Sequence, residues 1–346
     1  APDGIVVLNP GDNKTCTITN NDQPGTLIVR KVVSNNNGGT LNPDDFSFQV
    51  NDDSLIPFEA DGQNDLIVNA GIYTVTEPTV TGYDTTYDNC TDVVITNGGL
   101  ATCTITNSDQ PAHLIVIKHV DNIHGGTAVA SNFTMTINGV TAQGGNSFPG
   151  EENPGTDKIV NTGTYYITES GPDGYESNFS TDCSGTIALG QTKTCTVTNG
   201  DKPATLTVIK HVINDNGGNA VAGDFTMNVT GTNVSSSSFS GSGAGTSVTL
   251  DAGSYSVDED TFSGYTKSLG ANCLGTIAIG QTKTCTITND DVAPSITLVK
   301  DVINNNGGNA GVNDFGLSIG ATSANSGQIL EVDANTAYAL DEVGLT

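Results

Sequence analysis

The sequence contains no tryptophan, only two methionines and few basic residues among its 346 positions. Lys and Arg total 11 against 38 Asp and Glu, which gives a formal net charge of −27. This charge disfavours nucleic acids and anionic membrane surfaces as partners, because both repel a strongly acidic protein. No run of about 18 apolar residues that could cross a bilayer as a helix is present.

Threonine, asparagine, glycine, valine and isoleucine are abundant instead. β-Branched residues favour strands, and asparagine and glycine favour tight turns. The length exceeds that of one ordinary domain. The composition therefore predicts an all-β protein with several domains.

Two motifs recur along the chain at the same offsets. The motif Thr-Cys-Thr-(Ile/Val)-Thr-Asn surrounds four cysteines at intervals of 87, 92 and 90 residues: Cys16, Cys103, Cys195 and Cys285. An apolar run ending in lysine recurs in step with it, at Lys31, Lys118, Lys210 and Lys300. Self-similarity at a fixed period indicates tandem copies of one structural unit.

Further landmarks keep the same period. An Asn/Asp-rich or His-containing Gly-Gly cluster follows each lysine, and a phenylalanine follows each cluster, at Phe46, Phe133, Phe225 and Phe315. A Tyr-x-(Val/Ile)-x-Glu motif ends at Glu77, Glu169 and Glu259, and a Gly-Tyr pair lies six residues beyond each glutamate. Each repeat therefore has the same order of motifs.

Prolines mark the joints between repeats, at Pro24, Pro111, Pro203 and Pro294. Proline cannot donate a ladder hydrogen bond and so interrupts strand pairing. We predict complete repeats at 25–111, 112–203 and 204–294. Residues 1–24 are predicted to be the last strand of a repeat, and residues 295–346 the first part of another. Short joints between folded repeats favour a rod-like arrangement.

Apolar and polar residues alternate along the predicted strands, as in the segment from Leu206 to Lys210. This period of two is that of a strand with one buried face. Turn residues at intervals of about 8 to 12 positions leave room for about seven short strands in a repeat of about 90 residues. The pattern predicts an immunoglobulin-like or prealbumin-like β-sandwich.

Six of the seven cysteines form pairs within the predicted repeats: Cys90 with Cys103, Cys183 with Cys195, and Cys273 with Cys285. The 12 or 13 positions between partners suggest the two legs of one hairpin closed by a disulfide. Disulfides in turn indicate an oxidising compartment outside the cytosol. Free core thiols are the alternative, and metal binding is disfavoured because no Cys-x-x-Cys motif is present. Cys16 has no partner in this pattern.

The recurring lysines have the strand parity of core residues. In the strand that contains Leu114 and Val116, alternation places Lys118 on the same inner face. The same parity directs the recurring glutamates and the asparagines Asn107, Asn199 and Asn289 inward. A buried lysine is costly unless it is neutral or hydrogen-bonded, so these three residue types are expected to meet.

This ordered set of motifs resembles the Cna-B or SpaA-type domains of bacterial pilins and adhesins and similar repeats of archaeal surface proteins. The shared features are a lysine at the end of the first strand, Tyr-x-x-x-Glu followed by Gly-Tyr, and an asparagine at the end of the last strand. The resemblance covers nearly the whole chain and implies the prealbumin-like sandwich.

In that family the lysine and the asparagine can be joined by an intramolecular isopeptide bond, with the glutamate as proton shuttle. The resemblance implies these sets: Lys31 with Asn107 and Glu77, Lys118 with Asn199 and Glu169, Lys210 with Asn289 and Glu259, and Lys300 and Glu342 with Asn20. Burial lowers the pKa of a lysine, so that its neutral amine can attack an amide. The alternative is a buried Lys–Glu ion pair with an asparagine hydrogen bond.

No cofactor is predicted. The Gly-Gly clusters lie near Asp44, Asp45, Asp224 and Asp314, which suggests calcium, but they lack the oxygen-ligand alternation of a calcium loop and also fit hairpin turns. The four histidines do not recur in every repeat and lie in no nucleophile motif. The sequence therefore predicts no enzyme beyond a single-turnover, autocatalytic isopeptide formation.

The two incomplete repeats leave two interpretations open. In one, the chain continues into flanking repeats of a longer protein. In the other, the halves close head to tail between copies by β-strand complementation, so that Lys300 and Glu342 of one copy meet Asn20 of the next.

Together these patterns predict an extracellular structural protein, a stalk, pilus-like filament or adhesin shaft built of covalently stapled repeats. The alternative is a cell-surface binding module that recognises glycans or another surface through its variable segments 54–64, 144–157 and 235–245.

Overall fold

The computed structural model describes residues 4–344 and consists of short strands and 3-10 turns. Among these residues no α-helix is assigned, and none of them forms a helix long and apolar enough to span a membrane. The 3-10 turns are Pro43–Asp45, Ala130–Asn132, Thr181–Cys183, Ala222–Asp224 and Val312–Asp314.

Backbone contacts divide the chain into two compact units, and the boundary passes through the second repeat. The first unit comprises Ala1–Ile117, Thr134–Glu169 and Ser180–Thr196. The second unit comprises Lys118–Phe133, Ser170–Phe179 and Val197–Thr346.

The first unit contains the whole first repeat. Its strands are β1 (Gly25–Ser34), β2 (Ser47–Val50), β3 (Ile56–Pro57), β4 (Gln63–Val68), β5 (Gly71–Tyr73), β6 (Val75–Thr76), β7 (Tyr83–Asp88), β8 (Val93–Ile95) and β9 (Leu100–Asp109). One sheet has the order β4-β1-β9-β7, and the facing strands pair as β3-β2-β6 and β5-β8. The first and last strands, β1 and β9, are parallel, and the other pairs in this repeat are antiparallel.

The second repeat contributes strands to both units. They are β10 (Ala112–Asp121), β11 (Thr134–Asn138), β12 (Ser147–Pro149), β13 (Thr156–Val160), β14 (Gly163–Ser170), β15 (Tyr175–Phe179), β16 (Ser184–Ile187) and β17 (Thr192–Asp201). In the first unit, β13 pairs with the start of β10, β12 with β11 and β16 with β14. In the second unit, β15 pairs with the end of β17.

The third repeat lies within the second unit. Its strands are β18 (Ala204–Ile213), β19 (Thr226–Thr230), β20 (Ser238–Ser240), β21 (Thr246–Leu250), β22 (Gly253–Glu259), β23 (Tyr265–Leu269), β24 (Leu274–Ile277) and β25 (Thr282–Asp291). They form two four-stranded sheets, β21-β18-β25-β23 and β20-β19-β22-β24, and β18 and β25 are parallel. About seven strands were expected in each repeat, whereas the structure has nine in the first and eight in each of the other two. In the third repeat, the short edge strand β20 lies in a serine-rich segment without alternation.

The last 50 described residues also belong to the second unit. Their strands are β26 (Ser295–Thr297), β27 (Gly316–Ile319), β28 (Thr322–Ala324), β29 (Ile329–Glu331) and β30 (Leu340–Val343). They pair as β26-β29 and β28-β27-β30 around a small core. Residues 4–24 contain no assigned strand, although the segment around Cys16 was predicted to be one, and Cys16 is a free, exposed thiol.

Alternation explains how the long strands bury one face. In β1, Leu27, Val29 and Lys31 are buried, whereas Arg30 between them is exposed. The inner faces of the two sheets of a repeat enclose one apolar cluster, in which Phe46, Phe48 and Phe58 join the aliphatic residues of the first repeat. The predicted all-β sandwich of repeats is confirmed.

The structure pairs the six cysteines as predicted: Cys90 with Cys103, Cys183 with Cys195, and Cys273 with Cys285. The expectation that each pair joins the legs of one hairpin is wrong. Cys273 immediately precedes β24, which pairs with β22, whereas Cys285 lies on β25 in the opposite sheet. The turn between these strands carries the chain from one sheet to the other, so the disulfide ties the two sheets together.

Replacing both Cys273 and Cys285 by alanine should lower the unfolding free energy of the third repeat by about 3 kcal/mol, because the closed loop no longer restricts the unfolded chain. Hydrogen exchange measured by mass spectrometry in increasing guanidinium should show third-repeat peptides opening at lower denaturant. First-repeat peptides, whose disulfide remains, are the internal control. An unchanged third-repeat midpoint would contradict the stabilising role.

Candidate functional site

The recurring lysines are among the most buried side chains of the protein. Lys31 on β1 is 5% exposed, Lys118 on β10 is 0% exposed and Lys210 on β18 is 1% exposed. Each follows alternate buried aliphatic residues on its strand, as strand parity predicts. A cationic group at such a position must find polar partners within the core.

In the first repeat the lysine contacts both predicted partners. Lys31 Nζ donates hydrogen bonds to Glu77 Oε2 and, over 2.6 Å, to Asn107 Oδ1. Asn107 Nδ2 donates to Thr85 Oγ1 on the neighbouring strand β7 at 3.2 Å. The side chains of Lys31 and Glu77 are both fully shielded from solvent.

In the third repeat the glutamate lies between the other two residues. Lys210 Nζ is 3.2 Å from Glu259 Oε2, and Asn289 Nδ2 donates to Glu259 Oε1 at 2.6 Å. All three residues are buried. Asn289 Oδ1 is also buried and accepts no hydrogen bond from the described residues. One carboxylate thus contacts both the amine and the amide nitrogen.

Parallel pairing of the first and last strands explains why lysine and asparagine meet. Lys31 lies opposite Ile105 in the register, and Asn107 is the next residue of β9 on the same face. Lys210 has the same relation to Ile287 and Asn289 on β25. Side chains at such diagonal positions are close enough for long residues to touch.

Each lysine also lies over the phenylalanine that follows the Gly-Gly cluster. Lys31 Nζ is 3.8 Å from the Phe46 ring centroid, and Lys210 Nζ is 4.1 Å from that of Phe225. Burial lowers the pKa of Lys31 and of Lys210, and the nearby glutamates offset only part of this shift. The phenylalanines, noted in the sequence only as landmarks, therefore shield the amines from water.

The second repeat has the same residue types at these positions. Lys118 and Asn199 are buried, and Glu169 on β14 is partly buried. Lys118 Nζ donates to the carbonyls of His119 at 2.7 Å and Val197 at 3.3 Å, and it lies 4.5 Å from the Phe133 centroid.

The fourth predicted set, Lys300, Glu342 and Asn20, is more exposed to solvent than the other three. Lys300 follows the end of β26, and its Nζ donates to both carboxylate oxygens of Glu342 at 2.9 Å. The Lys300 side chain is 18% exposed and that of Glu342 is 39% exposed. Asn20 is exposed in the segment without strands.

A recurring aspartate was missed in the sequence. Asp109, Asp201 and Asp291 end the last strands and are buried. Asp109 accepts backbone hydrogen bonds from Asn36, Asn37 and Gly39 at 2.7–2.9 Å. Asp201 and Asp291 accept equivalent bonds from the loops after β10 and β18. The available signal was an aspartate two residues after every recurring asparagine.

The same contacts account for the Gly-Gly clusters. Their backbone N–H groups point at a carboxylate, whereas a calcium loop presents oxygen atoms to the ion. Asp45, Asp224 and Asp314 accept N–H bonds from the residue before each 3-10 turn. Asp215, Asp290 and Asp291 bring carboxylates near one another, but Asp291 is occupied by the loop amides. These contacts lend calcium binding no support.

A buried amine, a carboxylate and a carboxamide in contact can exchange protons and can form an amide bond once the amine is neutral. The fold and this site define a tandem prealbumin-like sandwich protein with a polar core cluster. The family model described as a prealbumin-like fold domain, of the SpaA type, matches residues 22–107, 109–200 and 201–292. The chain therefore belongs to the SpaA-type prealbumin-like domain family.

Three solved structures are similar to the chain at low sequence identity. The TIE protein of Bacillus anthracis is 18% identical over 78% of this chain and 51% of its own, with a TM-score of 0.49. Two B repeat units of the collagen-binding protein of Staphylococcus aureus are 15% identical over 93% and 94%, with a TM-score of 0.25. The major pilin BcpA of Bacillus cereus is 12% identical over 78% and 100%, with a TM-score of 0.32.

The chain spans about half the length of the TIE protein that it matches. No curated protein sequence matches it at a significant level.

Replacing Asp109 with asparagine should destabilise the first repeat at neutral pH by about 1–3 kcal/mol, since three amide donors lose a charged acceptor. Burial opposes ionisation of Asp109, but these donors outweigh it and hold its pKa below the ordinary 3.8. The wild-type contribution is therefore present above pH 3.8 and is lost as pH falls through the lower folded pKa.

Hydrogen exchange of the whole protein, measured in increasing denaturant at several pH values, checks this prediction. The quantity compared is the unfolding midpoint of peptides from the first repeat. Asp44→Asn changes an exposed carboxylate in the same repeat and should leave the profile unchanged. Equal acid sensitivity of the wild type and Asp109→Asn would show that Asp109 is not the group responsible.

Proposed function

We propose that this protein is an extracellular shaft, a stalk or pilus-like filament segment, whose repeats are stapled by disulfides and by Lys–Asn isopeptide bonds. The observation that carries the proposal is the contact of a buried lysine amine with both glutamate and asparagine in the first repeat, with an equivalent cluster in the third. Its role is mechanical and not enzymatic.

The reaction requires only the three groups of the cluster, in which Glu259 contacts both Lys210 and Asn289. Burial favours the neutral amine of Lys210, which attacks the side-chain carbonyl carbon of Asn289. A C–N bond forms, and the amide nitrogen leaves as ammonia. Glu259 takes a proton from the lysine nitrogen and delivers it to the departing amide nitrogen, which is 2.6 Å from its Oε1. Each site reacts once.

The position of the bond suits resistance to force. The staple would join the first strand of a repeat to its last strand, which are adjacent and parallel. Force that enters the first repeat at β1 and leaves at β9 would pass from Lys31 directly to Asn107. The residues between these two positions would then carry no load and could not be pulled out.

The disulfides add a second staple to each complete repeat. Cys103, on the same strand as Asn107, is bonded to the opposite sheet through Cys90. Three such bonds favour an oxidising location at or outside the cell surface.

The partners proposed for the shaft are further repeats of the same kind. They belong either to flanking parts of a longer chain or to other copies arranged head to tail. In both cases the Lys300–Glu342 pair would receive an asparagine from an added last strand, as Asn20 would supply between copies. We assign the protein no cofactor.

Intact mass spectrometry tests the isopeptide bonds directly. The non-reduced chain should be lighter than its sequence mass by about 17 Da for each bond, because each releases one ammonia, in addition to the six hydrogens lost in three disulfides. Glu259→Gln should restore about 17 Da, because it removes the proton shuttle of the third repeat.

Lys283→Arg serves as the matched control, since Lys283 is on the same last strand as Asn289 but outside the buried cluster. Its mass deficit should equal that of the wild type once the substitution is included. A wild-type mass that lacks only the disulfide hydrogens would refute the covalent proposal and leave a buried ion pair.

A further inference from the structure

The loop that follows the first strand of a repeat contacts the next repeat in the same way at three places. We call residues 35–39, 122–126 and 214–218 the joint loops. A backbone N–H of the following repeat donates to a joint-loop carbonyl each time: Thr162 to Asn37 at 3.2 Å, Ala252 to His124 at 2.8 Å and Ala334 to Asn216 at 2.7 Å. These donors lie in the turn after β13, after β21 and after β29.

A glycine makes this approach possible in each joint loop. Gly38, Gly125 and Gly217 have positive φ angles of 94°, 89° and 80°. A Cβ atom on Gly125 would lie 3.0 Å from Ala252 O, and one on Gly217 would lie 2.3 Å from Ala334 O. Both the backbone conformation and the close contact therefore require glycine.

Side chains supplement the backbone bond differently at each joint. Thr162 Oγ1 donates to the Gly38 carbonyl at 3.1 Å, and Asn335 Nδ2 donates to the Gly217 carbonyl at 3.0 Å. At the middle joint, His124 Nδ1 lies 2.9 Å from Asp251 Oδ1. The shared feature is thus the backbone bond and its glycine, since the side chains vary.

An apolar contact accompanies the polar one at the first two joints. Leu189, in the turn after β16, packs against the core cluster of the first repeat and touches Gly82. Ile279, in the turn after β24, meets Gly174 in the same way. These two joints therefore have a polar part and an apolar part, as specific interfaces do.

The inner side of each joint loop is held by the aspartate at the end of the last strand. In the second repeat, Asp201 accepts the N–H groups of Ile123, His124 and Gly126, while the His124 carbonyl faces the next repeat. The conformation of the loop therefore depends on the last strand of its own repeat. The loop presents the His124 carbonyl as a fixed acceptor to the next repeat.

We propose that the joint loop is a docking surface for the following repeat, and that Asp109, Asp201 and Asp291 are positioning residues for it. Closure of a repeat by its last strand then shapes the loop to which the next repeat binds. This inference deepens the proposed shaft function by coupling the folding of one repeat to its alignment with the next. It does not depend on isopeptide formation.

The amide of Ala252 reports the middle joint directly, because its acceptor is the His124 carbonyl of the preceding repeat. In the full chain, hydrogen exchange followed by NMR should show this amide protected. Gly125→Ala and Asp201→Asn should each reduce its protection by about five- to tenfold, the equivalent of losing one hydrogen bond. The Thr162 and Ala334 amides, at the other joints, should stay protected in both variants.

Gly145→Ala is the matched control for the glycine variant. Gly145 has a similar φ of 94° in the same repeat, but a Cβ there meets nothing within 4 Å. Ala252 protection should therefore be unchanged in this control. Strand amides of β18 should remain protected throughout, which separates loss of the joint from unfolding.

Two results would overturn the proposal that the joint loop is a docking surface. They are unprotected exchange of the Ala252 amide in the wild type, and equal protection of this amide in the wild type and Gly125→Ala. Unchanged protection of Ala252 in Asp201→Asn, with exposed loop amides, would overturn the positioning role. Failure of the isopeptide proposal would appear in the mass and not in these amides, so the two results are distinguishable.

Discussion

The parallel pairing of the first and last strands of a repeat is the constraint on which the cluster depends. It brings a lysine from one strand beside an asparagine from the other, in the middle of the apolar core. Burying an amine there would be prohibitive without a glutamate, an asparagine and an aromatic ring around it. The residues that make the core polar are therefore those that the proposed covalent closure would use.

The inner face of the last strand holds the repeat together at three successive levels. On β9, Cys103 reaches the opposite sheet, Asn107 meets the lysine of the first strand, and Asp109 binds the loop beyond that strand. On β25 the same three levels are Cys285, Asn289 and Asp291. Removal of this strand would thus disturb the sheet contact, the polar cluster and the loop together.

Membership of the prealbumin-like family accounts for the sandwich and the order of the motifs. Function is a property of sites and not of the fold alone. In this chain the polar clusters lie inside the repeats, and the proposed staples and joints would stabilise each repeat and its contact with the next. The proposed shaft function depends on these sites, because a staple between the first and last strands would carry force across each repeat.

The repeat period, the strand alternation, the cysteine pairs and the inward direction of the lysines, glutamates and asparagines could all be predicted from the sequence alone. These follow from local periodicity, because the side chains of a strand alternate between two faces regardless of its neighbours. Sequence reasoning placed each disulfide in a hairpin, since spacing gives the size of a loop and not the sheet to which each leg belongs.

Three features became apparent only in the folded chain. The first and last strands are parallel neighbours, each disulfide joins two sheets, and Asp109, Asp201 and Asp291 hold the glycine loops. The partners of these aspartates are backbone N–H groups 70 or more positions away. Every residue except proline has a backbone N–H group, so the sequence does not indicate which of these groups binds a carboxylate. Only the folded chain shows which of them do.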